Sequence, residues 1–339
     1  MKKTISVILA LMLALSCMST AFAANTFDSF GAYEHVFIIG IDGAGAAFGS
    51  DKVETPNFDR IFERNAYTHT AITETVTVSA QNWGSILTGV TYDMHGLTND
   101  NTSKEQRTSD TEYKSIFYYA RQAFPQDKLV SFCHWSNINK GIIENDLHVH
   151  KVNRLSDPLV TAAIVSYFNR GNLPKLMFVQ LDDCDHAAHS HGGFSDEYDE
   201  AIERVDRFLG DIYDAIDERE LMDNSLFIVV ADHGETTNGH GGQTPEESSA
   251  VLAVAGHSVN KMTLPEGTHN RDVAAIALYA LGIEKPDHFV ATVPEGLFGE
   301  SRLKAIAENP ICCERHAFRD FLFFWLHVIN FIISPFDKR

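Results

Sequence analysis

The chain has 339 residues, with 27 basic side chains against 46 acidic ones and a formal net charge of −19. That balance argues against a nucleic-acid polymer or an anionic membrane as partner for the body of the protein. Hydrophobic residues make up 44%, and the five cysteines show no Cys-x-x-Cys spacing, so the chain is ordinary globular material rather than a disulfide scaffold or a thiolate metal site.

The first segment is an export signal. Lys2 and Lys3 precede the apolar run from Ile5 to Leu15, and Ala21-Phe22-Ala23 forms a small-x-small cleavage site. An N-terminal membrane helix is the weaker reading because the run is too short to span. A lipoprotein form through Cys17 ranks second, since Ala14 stands where a lipobox carries Leu or Val. Residues 1–23 are therefore assigned to the signal, and the mature chain begins near Ala24, either secreted or periplasmic. Removing the signal takes away two lysines and no acid, moving the charge from −19 to −21. The roughly 315 residues left suffice for one large α/β domain, assigned to 24–300. An anionic substrate must then approach a negative surface, which bound cations at the site would locally reverse.

Apolar, β-branched runs recur at His35 to Ile41, Lys128 to Trp135, Leu176 to Leu181, Leu226 to Ala231 and Val251 to Ala255. Most are continuous, as in strands covered on both faces. Between them lie helical patterns. Thr55-Pro56 supplies a cap and a first-turn proline. Ser195 to Leu221 is long and amphipathic, with Ile202, Val205, Phe208, Leu209, Ile212 and Ile216 on one face. The alternation predicts an α/β, doubly wound, mostly parallel sheet with helices on both faces. Ligands gather at the carboxyl ends of such strands. Asp42, Asp185 and Asp232-His233 all follow strand-like runs there. Cys133 and Cys184 lie at the ends of apolar runs and read as buried free thiols.

Asp185 and His189 stand four residues apart, on one face of a helical turn. Asp232-His233-Gly234 ends an apolar run, and Gly239-His240-Gly241-Gly242 follows closely. Asp and His at this density suit a borderline divalent metal. Upstream, a strand-like stretch from Thr75 stops at Ser79, where a helix begins. A hydroxyl at a helix start sits in a field favouring anions, although such a serine is most often a cap. Asn82, three residues on, offers an amide donor to the same anion.

The ordered set Ile41-Asp42-Gly43, Ser79-Ala-Gln-Asn82-Trp-Gly-Ser-Ile-Leu-Thr-Gly89, Asp185-x-x-x-His189, Ala231-Asp232-His233-Gly234 and Gly239-His240-Gly241 resembles the alkaline phosphatase superfamily. Within it the chain is most similar to the type I phosphodiesterase/nucleotide pyrophosphatase branch, over roughly Val36 to Val293. The resemblance implies a three-layer αβα fold with two divalent ions, usually zinc, at the carboxyl edge of the sheet. It implies that Asp185, His189 and His240 hold one ion, and that Asp42, Asp232 and His233 hold the other with Ser79 bridging as nucleophile. The substrate class is a small-molecule phosphate ester. Chemistry agrees with this division, because coordination to a cation activates a serine without a general base, and paired ions stabilise both oxygens of an in-line displacement.

Thr77 is a minor candidate nucleophile, since the branch often carries threonine; Ser79 has the family spacing to Asn82. The sulfatase Cys/Ser-x-Pro-x-Arg signature is absent. No arginine follows Ser79 to clamp a monoester, so a diester or pyrophosphate is favoured over a monoester. A sulfatase, phosphonate or headgroup activity on the same site, and a non-catalytic metal-dependent binding protein, are the competing readings. His186, His191, His95 and His257 read as structural or exposed. Asp182 and Asp183 do not share the spacing to His189, and Glu246 and Glu247 either orient ligands or face solvent. Trp83 reads as packing beneath the site. The tail, 301–339, carries an apolar aromatic stretch from Phe321 to Ile333, short of the roughly 20 residues that span a bilayer. It reads evenly as a docked helix or as a monotopic segment in peripheral contact with a membrane.

Overall fold

The computed structural model describes residues 29–299. The signal peptide and the Phe321 to Ile333 stretch lie outside the described residues. Eight strands form one sheet: β1 (His35–Ile41), β2 (Ala66–Ile72), β3 (Leu129–Cys133), β4 (His150–Asn153), β5 (Leu176–Leu181), β6 (Ser225–Ala231), β7 (Ser249–Ala255) and β8 (Met262–Thr263). Their spatial order is β4-β3-β5-β1-β6-β7-β2-β8. Pairing is parallel except where β7 meets β6 and β2. The sheet is thus mixed and mostly parallel. β7 was legible as a strand, but its direction was not: the connection from β6 carries the His240 loop and only a four-residue helix, Pro245–Ser248, so no helix spans a face of the sheet between the two strands as a parallel crossover would use.

Helices cover both faces. On β1, Val36 and Ile38 point to one side and Phe37, Ile39 and Ile41 to the other, all fully buried. The first side packs α2 (Ser79–Thr88), α5 (Ile116–Ala123) and α10 (Asp272–Ala280), with α3 (Tyr92–His95) and α4 (Asn99–Lys104) nearby. The second packs α1 (Pro56–Phe62), α6 (Asp157–Asn169) and α8 (Asp196–Asp217). Two short helices, α7 (Asp183–His191) and α9 (Pro245–Ser248), sit at the carboxyl edge. This is the expected three-layer α/β arrangement, and continuous burial of β1, β5 and β6 explains their unbroken apolar runs.

Local signals held unevenly. Ser195 caps α8, its hydroxyl accepting from Tyr198 N at 3.2 Å, and Ile202, Val205, Leu209, Ile212 and Ile216 are buried while Phe208 packs at the margin. Pro56 opens α1, but Thr55 makes no side-chain cap, so the proline rather than the threonine sets that helix start. β2, β4 and β8 escaped notice because they alternate or are exposed: β4 is a mostly open edge strand, and β2 carries two threonines and a histidine among apolar residues. Cys133 and Cys184 are buried free thiols.

Candidate active site

The carboxyl ends of β1, β5 and β6 meet at one edge, and each releases a chemistry-bearing residue. Asp42 directly follows β1, and its amide bonds Leu181 O on β5 at 2.9 Å. Trp83 Nε1 and Gln180 Nε2 both donate to Asp42 Oδ2, at 2.9 and 3.0 Å. The other oxygen, Oδ1, has no hydrogen-bond partner. Asp232 repeats the pattern after β6. Gly43 N and His233 N donate to its Oδ1 at 3.1 and 2.9 Å, and Oδ2 is left without one. His233 Nδ1 lies 3.2 Å from Gly234 O, which assigns the proton to Nδ1 and a lone pair to Nε2. That lone pair stands 3.5 Å from Asp42 Oδ1 and 3.3 Å from Asp232 Oδ2, again with no donor.

Three fully buried acceptors therefore converge with nothing between them to accept from. Burial, then Asp232, raises the Asp42 pKa; burial, then Asp185, raises that of Asp232; burial, then His240, lowers that of His233. A divalent cation removes both penalties at once, by pairing the lone pairs and supplying opposite charge. The donor set fits such an ion.

The second group stands on α7 and on the loop after β6. Asp157, buried in α6, accepts from the amides of Asp182 and Asp183 at 2.8–3.0 Å and so caps the start of α7. From that helix Asp185 Oδ2 lies 3.5 Å from His189 Nε2, the i,i+4 relation expected. Asp185 Oδ1 lies 3.4 Å from His240 Nε2, and His189 Nε2 and His240 Nε2 are 3.1 Å apart. His240 Nδ1 donates to Thr77 O at 2.5 Å, turning Nε2 toward Asp185. His233 and His240 stack with ring centroids 3.9 Å apart, so the two groups share a wall.

Ser79 opens α2, exposed by 8%, and Val78 rather than Ser79 is the N-cap. The preceding residues 73–78 are irregular, not the strand expected, because Asn82 ties them down. Among the described residues the Ser79 hydroxyl has no hydrogen-bond partner; it shares a cavity of about 400 Å³ with Asp42, Asp185, His189 and His240. Thr77 is different. Its hydroxyl donates to Gly242 O at 3.0 Å and accepts from Gly241 N at 2.9 Å, so it clamps the His240 loop and is not free to attack. Glu247 completes the clamp, accepting from Gly242 N at 2.7 Å and from Thr244.

Asn82 does not do what its spacing suggested. It is fully buried, its amide donates to Val76 O and Val78 O at 3.1 and 3.2 Å, and its oxygen accepts from Glu74 N at 2.8 Å. With both donors spent on the loop, it positions Ser79 and offers nothing to an anion. Asn99 lines the cavity instead. Its oxygen accepts from Ala80 N at 3.0 Å, leaving its amide hydrogens to the cavity that Ser79 lines. No local signal marked it, since it reads as an ordinary residue in the first turn of α4. Trp135 and Asp182 complete the lining, Asp182 with its pKa raised to about 6 by burial and then by Asp185. Asp183 turns away to pair with Arg204 at 3.2 Å. Trp83 does lie beneath the site, as a donor as well as packing. His95 is structural, bonded to Gln81 O and Leu97 N.

A type I phosphodiesterase/nucleotide pyrophosphatase family model matches residues 36–305. The chain belongs to that family. Its members are metal-dependent phosphodiesterases and nucleotide pyrophosphatases. Among curated proteins it is 27% identical to GPI ethanolamine phosphate transferase 1 of Saccharomyces cerevisiae over 139 residues, covering 35% of this chain and 15% of that protein. The Candida glabrata protein of the same name is 27% identical over 156 residues, 39% of this chain and 17% of its own. The chain thus spans less than a fifth of these relatives. Among solved structures, murine ectonucleotide pyrophosphatase/phosphodiesterase 5 in complex with AMP superposes with TM-score 0.63 at 14% identity, covering 75% of this chain and 96% of that one. The lipoteichoic acid synthase LtaP of Listeria monocytogenes gives TM-score 0.60 at 14% identity over 79% and 78%. At these identities the superpositions show a shared fold alone.

Proposed function

We propose that the chain hydrolyses phosphoric esters, diesters or pyrophosphates in preference to monoesters, through a phosphoryl-Ser79 intermediate. The observation that carries this is the convergence of orphaned acceptors from Asp42, Asp232 and His233 beside a free Ser79 hydroxyl. In this reading Asp42, Asp232 and His233 hold one divalent ion, with Ser79 toward it, and Asp185, His189 and His240 hold a second, zinc being the expected metal. When bound, the ions supply positive charge that stabilises the Ser79 alkoxide, the phosphoryl oxygens and an ionised water.

The chain's own residues do the rest. Asn82 fixes the loop so that Ser79 Oγ, its proton released to solvent, meets phosphorus; the new O–P bond forms as the bond to the leaving oxygen breaks in line, and that oxygen takes a proton back from solvent. Asn99 holds a phosphoryl oxygen through its amide. Water then gives up a proton and attacks phosphorus; the P–Oγ bond breaks, and Ser79 Oγ takes a proton from solvent. No Lys or Arg lines the cavity, which suits the single charge of a diester better than a monoester dianion. The similarity to ethanolamine phosphate transferases favours one second reading, in which an alcohol replaces water in the last step.

The test is hydrolysis of bis-p-nitrophenyl phosphate against p-nitrophenyl phosphate with Zn²⁺ and with chelator. Activity that survives the chelator, or full activity in Ser79→Ala, sinks the mechanism; transfer to added ethanolamine in place of hydrolysis selects the second reading. We further infer export, on the strength of Lys2, Lys3 and the Ala21-Phe22-Ala23 site. Cell fractionation with and without residues after Pro310 tests both compartment and tail.

A further inference from the structure

Glu235 is a buried acid to which the foregoing reading gives no work. It follows Asp232-His233-Gly234, is 3% exposed, and neither of its carboxylate oxygens has a hydrogen-bond partner. Glycine backbone encloses it: a Cβ on Gly43 would stand 3.0 Å from Oε1, and one on Gly193 would stand 2.8 Å from the Glu235 Cβ. The pocket is therefore shaped to keep this side chain where it is, beside Asp185. No Lys or Arg pairs with Asp42, Asp185, Asp232 or Glu235 among the described residues; imidazoles are their only basic neighbours within 4.0 Å.

An orienting role for Glu235 toward His233 fails on distance. Oε1 is 3.8 Å from His233 Nδ1, whose proton already goes to Gly234 O at 3.2 Å. One ligand atom each from Asp185, His233, Glu235 and His240 does lie within 4.8 Å of the others. Without an ion, burial and then the charge of Asp185 push the Glu235 carboxyl up to about 10, so it is neutral and shares its proton with Asp185; an ion held by its neighbours takes the place of that proton and leaves both acids charged as ligands.

We propose that Glu235 is a further ligand of the cation held by Asp185, His189 and His240, and that it narrows the preference of this position for Zn²⁺ over Mn²⁺. The inference rests on the assignment of those three residues to one ion. One carboxylate with two imidazoles is a borderline set that zinc accepts readily. A second carboxylate adds a hard oxygen donor and negative charge, which favours Mn²⁺ relative to its affinity for nitrogen-rich sites. Absolute affinities still follow the usual order, with Zn²⁺ above Mn²⁺; the ratio is what Glu235 changes.

The experiment titrates metal-free protein with Mn²⁺ and with Zn²⁺ against a competing chelator. It uses an Asp42→Asn background so that the Asp185 position is read alone. Glu235→Gln keeps the size and removes the charge. Mn²⁺ affinity is expected to fall at least tenfold and the Zn²⁺/Mn²⁺ ratio to widen at least threefold. Affinities within twofold of the background protein for both ions, or an unchanged ratio, overturn the proposal. If Glu235→Gln does not fold, Glu235→Asp keeps the charge with a shorter reach. A Mn²⁺ affinity reduced from that of the background protein then supports the proposal, and an undiminished one overturns it. Failure of the underlying assignment looks different: the wild-type chain itself takes up no ion, or uptake is indifferent to His189→Ala.

Discussion

Replacing Trp83 by Phe separates the packing of this site from its ability to hold an ion. The indole donates to Asp42 Oδ2 at 2.9 Å and fixes which oxygen faces His233. A hydrogen bond to a charged group contributes about 1.5–3 kcal/mol. Gln180 still donates to the same oxygen at 3.0 Å, which places the loss at the lower end, about 1.5 kcal/mol. That corresponds to roughly a tenfold weaker ion at the Asp42, Asp232 and His233 position. Packing suffers separately. Trp83 is fully buried and its ring occupies space that Gly40 leaves open, for a Cβ there would come within 2.4 Å of Cη2. Phenylalanine leaves part of that space empty, at about 1–2 kcal/mol of stability. The assay is zinc competition against a fluorescent chelator, with urea unfolding of the metal-free protein alongside. Metal-free stability that falls while zinc affinity stays within twofold of wild type would refute the claim that Trp83 selects the ligand oxygen.

Three further outcomes are expected. Thr77→Val removes the hydroxyl that bridges Gly241 and Gly242 while keeping shape, and should cost about 2 kcal/mol in urea unfolding and slow diester hydrolysis about tenfold by loosening His240. Gly43→Ala should destabilise by 2 kcal/mol or more, on the order expected for strained backbone, because φ is +65° and the new Cβ would meet Asp185 Cα at 2.8 Å; a wild-type melting temperature would contradict this. His95 should make stability acid-sensitive. Burial lowers its pKa to about 4, and Leu97 N donates to Nδ1, so the folded state resists the second proton that the unfolded chain accepts near 6.5. Its contribution is whole above pH 7 and lost as pH falls from 6.5 toward 4, with a ceiling of about 2 kcal/mol by pH 5. Urea midpoints at pH 7.5 and 5 should therefore converge more in His95→Gln than in wild type.

Much of the fold was readable because β1, β5 and β6 are buried on both sides and show it as unbroken apolar runs, and because α8 carries a full helical stripe. The Asp and His residues at the ends of those runs were readable for the same reason: a strand that must be apolar makes the first polar residue after it conspicuous. β2 and β4 were not readable, since alternating or exposed strands differ little from loops, and the antiparallel setting of β7 leaves no mark in composition. The different settings of Asn82 and Asn99 were also hidden. Spacing put Asn82 beside Ser79, yet its amide is consumed by Val76 and Val78 within its own turn, while Asn99 arrives from a separate helix. Glu235 stood in plain view after Gly234, but its meaning depends on Gly43 and Gly193 closing over it. Local order thus settles the elements buried on both faces and the acids that end them, because burial periodicity and motif spacing are short-range properties. Which lone pair remains free to bind an ion is settled by donors far away in the chain, such as Trp83 and Gln180 on Asp42, because a carboxylate oxygen already engaged in hydrogen bonds is a poorer ligand than its unengaged twin.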